Sequence, residues 1–173
     1  MTNAREFIPL TIAVLTVSDT RTEADDTSGR TLAERAIEAG HHLVEKTIVP
    51  DDVYRIRATV SQWIADPGVQ VVLTTGGTGV TGRDGTPEAI KPLLDKEIEG
   101  FGEMFRMLSY EEIRTSTLQS RAIAGVANAT YLFCLPGSSA ACRTGWDRLI
   151  REQLDHRTTP CNLAMLIPRL QES

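Results

Sequence analysis

The sequence predicts an α/β domain built on a mainly parallel sheet, and two observations carry that prediction. Short apolar runs that read as strands buried on both faces alternate with segments whose apolar residues recur at the helical period. Four polar clusters follow the strands directly, where open parallel sheets bind ligands. With 173 residues the chain suits one domain with a real hydrophobic core, and it shows no repeat, low-complexity tract or linker. Residues 1–9 and 164–173 read as its N- and C-terminal tails.

Taken in order, IAVLTV (12–17) predicts the first strand. Leu32, Ala33, Ala36 and Ile37 fall on one side of a helix that ends near Gly40. LVEKTIV (43–49) predicts a second strand. Val53, Ile56, Val60, Trp63 and Ile64 fit the helical period, and the DPG at 66–68 closes that helix. VQVVLTT (69–75) predicts the third strand, with a helix beginning after Pro87. The acidic segment 95–103 reads as a solvated helix face, and helix is expected from about Gly102. A short helix and a strand over 115–130 would pair with the strand YLFCL (131–135). Cys142, Trp146, Leu149, Ile150 and Leu154 mark a last amphipathic helix.

Composition narrows the function. Hydrophobic residues make up 41% and charged residues 24%, with a net charge of -5, which is ordinary for a globular domain. That balance argues against a general grip on nucleic acid but leaves room for a local phosphate pocket. No apolar run reaches the roughly 20 residues a membrane helix needs, and the start MTNAREFIPL reads as a tail rather than a signal peptide. The cytoplasm is the expected compartment. Three cysteines without paired spacing predict neither a disulfide framework nor a zinc site, and Cys134 reads as a core residue. His41, His42 and His156 show no metal-ligand spacing and read as structural or surface residues.

The candidate chemistry sits in the four clusters. They are Ser18-Asp19-Thr20, Asp51-Asp52, the stretch Thr75 to Asp84, and Pro136-Gly137-Ser138-Ser139. Gly76, Gly77 and Gly79 let backbone N–H groups approach a ligand closely, as in a phosphate-binding nest. No lysine follows in the Walker A position. A literal GxGxxG (Gly77, Gly79, Gly82) is separated from its helix by Arg83, Asp84 and Pro87, unlike a dinucleotide fingerprint. A carboxylate beside a phosphate nest repels its guest unless Mg²⁺ lies between them, which gives Asp84 a reason to be there. Asp51 approaches the same edge either as a metal ligand or as the N-cap of the next helix, a role Asp52 would share or take over. Asp84 would also serve as a cap. Ser18 and Asp19 either end the first strand or reach the site. Arg121, beside Ser120, is either a phosphate fork or a surface ion pair. The PGSS turn before a helix offers a second anion site, and two such sites suggest two phosphorylated substrates or one long one.

Together, TTGGTGVTGRDGTPEAI with IVPDD upstream and STLQSRAIAG and LPGSSAA downstream resembles the MoaB/MogA family of molybdenum cofactor biosynthesis proteins, over about residues 12–162. GFGEMFRMLSYEEI, TSTLQSRAIAGVAN and PCN resemble its MoaB branch. The resemblance implies a three-layer α/β/α molybdopterin-binding fold of MogA type. It also implies molybdopterin adenylyltransferase chemistry, in which the terminal phosphate of molybdopterin attacks the α-phosphate of Mg-ATP. By the same resemblance Asp51 and Asp84 are catalytic and serve Mg²⁺, and Gly76, Gly77, Thr78 and Gly79 form the nucleotide-phosphate loop. Ser18 and Asp19 end the first strand in the site. Ser120, Arg121, Pro136, Gly137 and Ser138 lie toward the pterin. A homo-oligomer is implied, trimeric or hexameric (a dimer of trimers). PGSS replaces the PGNP common in the adenylyltransferase branch, and Gly82 and Gly85 flank the RD. The alternative expectation is therefore a non-catalytic molybdopterin-binding protein of the same pathway. A third is a structural oligomer built on the surface from Phe101 to Met107.

Overall fold

A computed structural model describes residues 5–172, so part of each predicted tail (1–4 and 173) lies outside the described residues. One sheet organises the chain. Its strands are β1 (Thr11–Val17), β2 (His42–Val49), β3 (Val71–Thr75), β4 (Lys96–Glu97), β5 (Ile123–Ala127) and β6 (Thr130–Leu135), in the order β2-β1-β3-β6-β5-β4. The first four in that order are parallel, whereas β5 and β4 continue antiparallel. The prediction of a mainly parallel sheet holds, with the predicted β5–β6 pairing as its antiparallel extension.

The strands' period of two decides which helix covers which face. Ile12, Val14, Val71, Leu73 and Phe133 point to a core shared with α1 (Thr27–Glu38), α4 (Glu99–Ile113) and α5 (Ser139–Gly145). Ala13, Leu15, Val72, Leu132 and Cys134 point the other way, to α2 (Val53–Ala65) and α3 (Thr86–Ile90). Helices on both faces give the three-layer α/β/α arrangement. The last helix runs on from α5 through a π-helical Trp146–Ile150 to Arg151–Gln153, burying Cys142, Trp146, Ile150 and Leu154 as predicted. No helix among the described residues is long and apolar enough to cross a membrane.

Several expectations are corrected. β2 is an edge strand and only partly buried, not covered on both faces. Ile37 is 55% exposed, outside the core that holds Leu32, Ala33 and Ala36. The acidic segment is not all helix: Lys96–Glu97 pairs with β5, and α4 begins at Glu99 rather than Gly102. Residues 164–169 form a 3-10 turn, and Ala164, Ile167 and Leu170 pack on the core, so this stretch is not a loose tail.

Candidate active site

The parallel strands bring all four polar clusters to one edge. β1 lies between β2 and β3, the chain's next two strands, and α1 and α2 cover opposite faces. The order of strands therefore reverses at β1, and the crevice beyond the carboxyl ends of β1 and β3 is the place where such sheets bind ligands.

The glycine loop is built there under tight constraint. Gly76 has φ +103°, and a Cβ on it would stand 2.1 Å from the carbonyl oxygen of Val17. Gly77 has φ +66°, and its Cβ would stand 2.3 Å from Thr86 Oγ1. The start of α3 holds the loop: Thr86 Oγ1 donates to the Gly76 carbonyl at 2.8 Å, and Thr86 N–H to that of Gly77 at 2.9 Å. Among the described residues the N–H groups of Gly77 and Thr78 donate to no protein acceptor, which leaves them free for an anion. Gly76→Ala is expected to lose about 1–3 kcal/mol from backbone strain alone, with the clash in addition. Gly82, which has nothing within 4 Å of its Cβ position, serves as the neutral control. Denaturant unfolding of both variants checks this.

Carboxylates gather behind the loop. Asp51 Oδ1 accepts from Gly85 N–H at 3.0 Å, and its Oδ2 lies 2.8 Å from the Cβ position of Gly77. Burial, followed by the charges of Asp84 and Asp19, pushes the Asp51 carboxyl above its ordinary value despite the Gly85 bond. Asp52, not Asp51, caps α2, accepting from the N–H groups of Tyr54 and Arg55. Asp84 does not cap α3, whose N-cap is Gly85. Its Oδ2 instead accepts from Thr81 N–H at 2.8 Å and Thr81 Oγ1 at 2.6 Å, closing the loop on itself. Burial opposes ionisation of Asp84, but these bonds outweigh it and hold the carboxyl below its usual value. Asp19 ties three clusters together. It takes a two-pronged contact from Arg83 at 3.0 and 2.6 Å and accepts from Asp51 N–H at 3.0 Å. The Arg83 guanidinium foremost holds its carboxyl low.

A cavity of about 530 Å³ opens on this edge, within the usual size range for small-molecule sites. Of the predicted residues, Ser18, Gly76, Gly77, Thr78, Gly79, Asp84, Ser120, Pro136, Gly137 and Ser138 line it, while Asp19, Asp51 and Arg121 do not. Gly137 packs on Gly76, its Cβ position 3.3 Å from the Gly76 Cα, so the two loops meet. Ser138 Oγ caps α5 by accepting from Ala141 N–H. Ser120 Oγ is buried without a hydrogen-bond partner among the described residues.

Of the two roles the sequence leaves open for Arg121, the ion pair is the one present, with Glu88. Its Nε donates to the Gly79 carbonyl at 2.7 Å and Nη2 to the Asp84 carbonyl at 2.9 Å, while Glu88 grips the guanidinium from the side. It is a strut of the glycine loop rather than a free phosphate fork, and it faces a neighbouring cavity. Two residues went unread in the sequence. Arg21 lines the main cavity, and Asp26, fully buried at the start of α1, accepts from Gly29 N–H. The available signal for Asp26 was an aspartate just before a helix, the N-cap pattern.

Comparison with known proteins decides the family. The family described as "Probable molybdopterin binding domain" matches residues 13–156. The chain belongs to the MoaB/MogA family of molybdenum cofactor biosynthesis proteins. It is 64% identical over 157 residues to molybdenum cofactor biosynthesis protein B of Escherichia coli (strain K12), covering 91% of this chain and 92% of that one. A crystal structure of a molybdenum cofactor biosynthesis protein B superposes with a TM-score of 0.85 at 46% identity, covering 89% of this chain and 96% of its own. The tungsten cofactor synthesizing protein MoaB from Pyrococcus furiosus gives a TM-score of 0.76 at 42% identity, with 83% and 92% covered. The fold is thus the MoaB/MogA molybdopterin-binding fold, and the process it serves is molybdenum cofactor biosynthesis.

Proposed function

We propose that the chain transfers an adenylyl group from Mg-ATP to the terminal phosphate of molybdopterin. A phosphate oxygen of molybdopterin bonds to the α-phosphorus of ATP, the bond to the β-phosphate bridge breaks, and pyrophosphate leaves. The single observation that carries this reading is the juxtaposition at the β1/β3 crevice. A loop with free N–H groups at Gly77 and Thr78 meets the Pro136–Ser138 loop across one cavity, with Asp51 and Asp84 beside it.

The carboxylates fit Mg²⁺ carried by the nucleotide. Asp51 keeps an oxygen, Oδ2, that accepts no hydrogen bond among the described residues, and Asp84 is held beside it through Thr81. The upward push on Asp51 by burial and by two neighbouring carboxylates is what a divalent cation relieves. Mg²⁺ uses one or two carboxylates and takes its other ligands from phosphate and water. When bound, Mg²⁺ neutralises phosphate charge. The chain's own part is positioning: the Gly77 and Thr78 N–H groups orient the nucleotide phosphates. The cytoplasm remains the expected compartment. A homo-oligomer, trimeric or hexameric as the family resemblance implies, belongs to the proposal too; on α4 Met104 and Met107 are exposed, whereas Phe101 and Phe105 turn into the core.

Pyrophosphate release tests the reading. It is expected only when molybdopterin, ATP and Mg²⁺ are all present. Molybdopterin binding without nucleotide turnover would favour a non-catalytic pterin-binding protein of the same pathway.

A further inference from the structure

We infer that Arg21 is the side chain that receives a substrate phosphate in the main cavity, and that Asp26 and Lys46 are positioning residues behind it. This rests on the adenylyl-transfer reading for which phosphates arrive, but not for their being bound. Among the described residues, Arg21 is the one lysine or arginine lining that cavity, which otherwise carries the acids Asp84 and Glu112. The arginine that the sequence singles out, Arg121, is engaged by Gly79, Asp84 and Glu88 and faces the other cavity. Among the described residues, the cationic side chain that an anion meets in this cavity is Arg21.

The guanidinium is fixed but not saturated. Nη2 donates to the Gly137 carbonyl at 2.6 Å, and Nη1 donates to Ser28 Oγ. Nε donates to nothing among the described residues, and the side chain is 29% exposed. Because Gly137 packs against Gly76, this anchor puts Arg21 at the seam between the two loops. Gly77 and Thr78, whose N–H groups donate to no acceptor among the described residues, line the same cavity.

Its charge is also left available. Asp26 lies 3.9 Å from Nη1, but its fully buried carboxylate is matched more closely from behind. Lys46 Nζ stands 2.8 Å away, Thr16 Oγ1 donates at 2.7 Å and Gly29 N–H at 3.0 Å. The lysine takes up the carboxylate's charge, so Asp26 orients Arg21 without closing a tight pair with it. A phosphate offers the stronger, two-pronged partner.

Calorimetric titration of Arg21→Gln and Arg21→Lys with inorganic pyrophosphate, Mg-ATP and molybdopterin tests this, with thermal melting to establish that each variant is folded. Arg21→Gln is expected to weaken at least one of the three by about 10- to 100-fold. Arg21→Lys, which keeps the charge and loses the fork, should recover only part. Loss confined to pyrophosphate and Mg-ATP assigns Arg21 to the nucleotide, and loss confined to molybdopterin assigns it to the phosphomonoester. A wild type that binds pyrophosphate through Arg21 but makes no adenylylated product would sink the adenylyl-transfer reading and leave this one standing. Unchanged affinity for all three in a folded Arg21→Gln, or a wild type that binds none of them, overturns it.

Discussion

Asp26→Ala is expected to lower the unfolding free energy by about 3–5 kcal/mol, the cost of removing one partner from a buried charge pair. Asp26 is fully buried and serves several partners at once. It caps α1 through Gly29 N–H, accepts from Thr16 Oγ1 and faces Lys46 at 2.8 Å. Without it, the Lys46 ammonium, whose side chain is 16% exposed, leans on the exposed Glu23 alone. The pH dependence has a definite sign. Burial opposes the charged form of Asp26, but Lys46, Thr16 and Gly29 outweigh it and hold the carboxyl below its ordinary value. Its stabilisation is therefore complete above the unfolded aspartate value of about 4 and is lost as pH falls through the lower folded value. Lys46 mirrors this at the alkaline end. Burial works against its charge, but Asp26 and Glu23 raise its value, so its share persists below about pH 10.4 and fades above. Denaturant unfolding of wild type and variant at pH 7 and at pH 2–3 should show the gap closing in acid. A gap that stays constant would mean the carboxylate carries no such load.

Asp51→Asn is expected to behave in the reverse way, cutting turnover by about 100-fold or more while the fold stays as stable or gains slightly. Asparagine keeps an oxygen for Gly85 N–H and removes a charge that burial and the neighbouring Asp84 and Asp19 already oppose. A carboxyl whose folded value is raised weakens the fold once ionised at neutral pH, so neutralising it relieves that cost. The same push shifts the acid limb of the kcat/KM profile, which reports the enzyme before Mg-ATP binds, upward in pH, because the ionised form is the one that serves the metal. Pyrophosphate-release rates across pH, with unfolding curves alongside, check both parts. Wild-type rates in Asp51→Asn would remove Asp51 from the chemistry. This variant is a cleaner probe than Asp84→Ala, since Asp84 also holds the loop through Thr81.

Most of the architecture was legible because it follows from period and burial. Ile12 to Val17, Val71 to Thr75 and Tyr131 to Leu135 are apolar enough to be central strands, and parallel strands place their trailing residues on one edge whatever the details. What escaped the sequence depends on tertiary placement. β4 is two residues long and exists only because β5 offers it a partner. Asp51 and Asp52 are adjacent and chemically alike, and only the extended backbone at Asp52, with its side chain on the N–H groups of Tyr54 and Arg55, shows which one caps α2. Arg121 carries the stronger motif, but its guanidinium turns back onto the carbonyls of Gly79 and Asp84, while Arg21 lines the main cavity. Spacing along the chain does not encode that direction. The glycines predict a turn from sequence, but the reason for two of them is local: Val17 and Thr86 leave no room for a Cβ at Gly76 and Gly77.

The most direct test of the account is to incubate the purified protein with molybdopterin, ATP and Mg²⁺ and identify the product by mass. Adenylylated molybdopterin, formed over many turnovers and absent when Mg²⁺ is withheld, is the predicted result. Molybdopterin recovered unmodified from a protein that still binds it would contradict the proposed reaction and leave a pterin-binding protein of this pathway in its place.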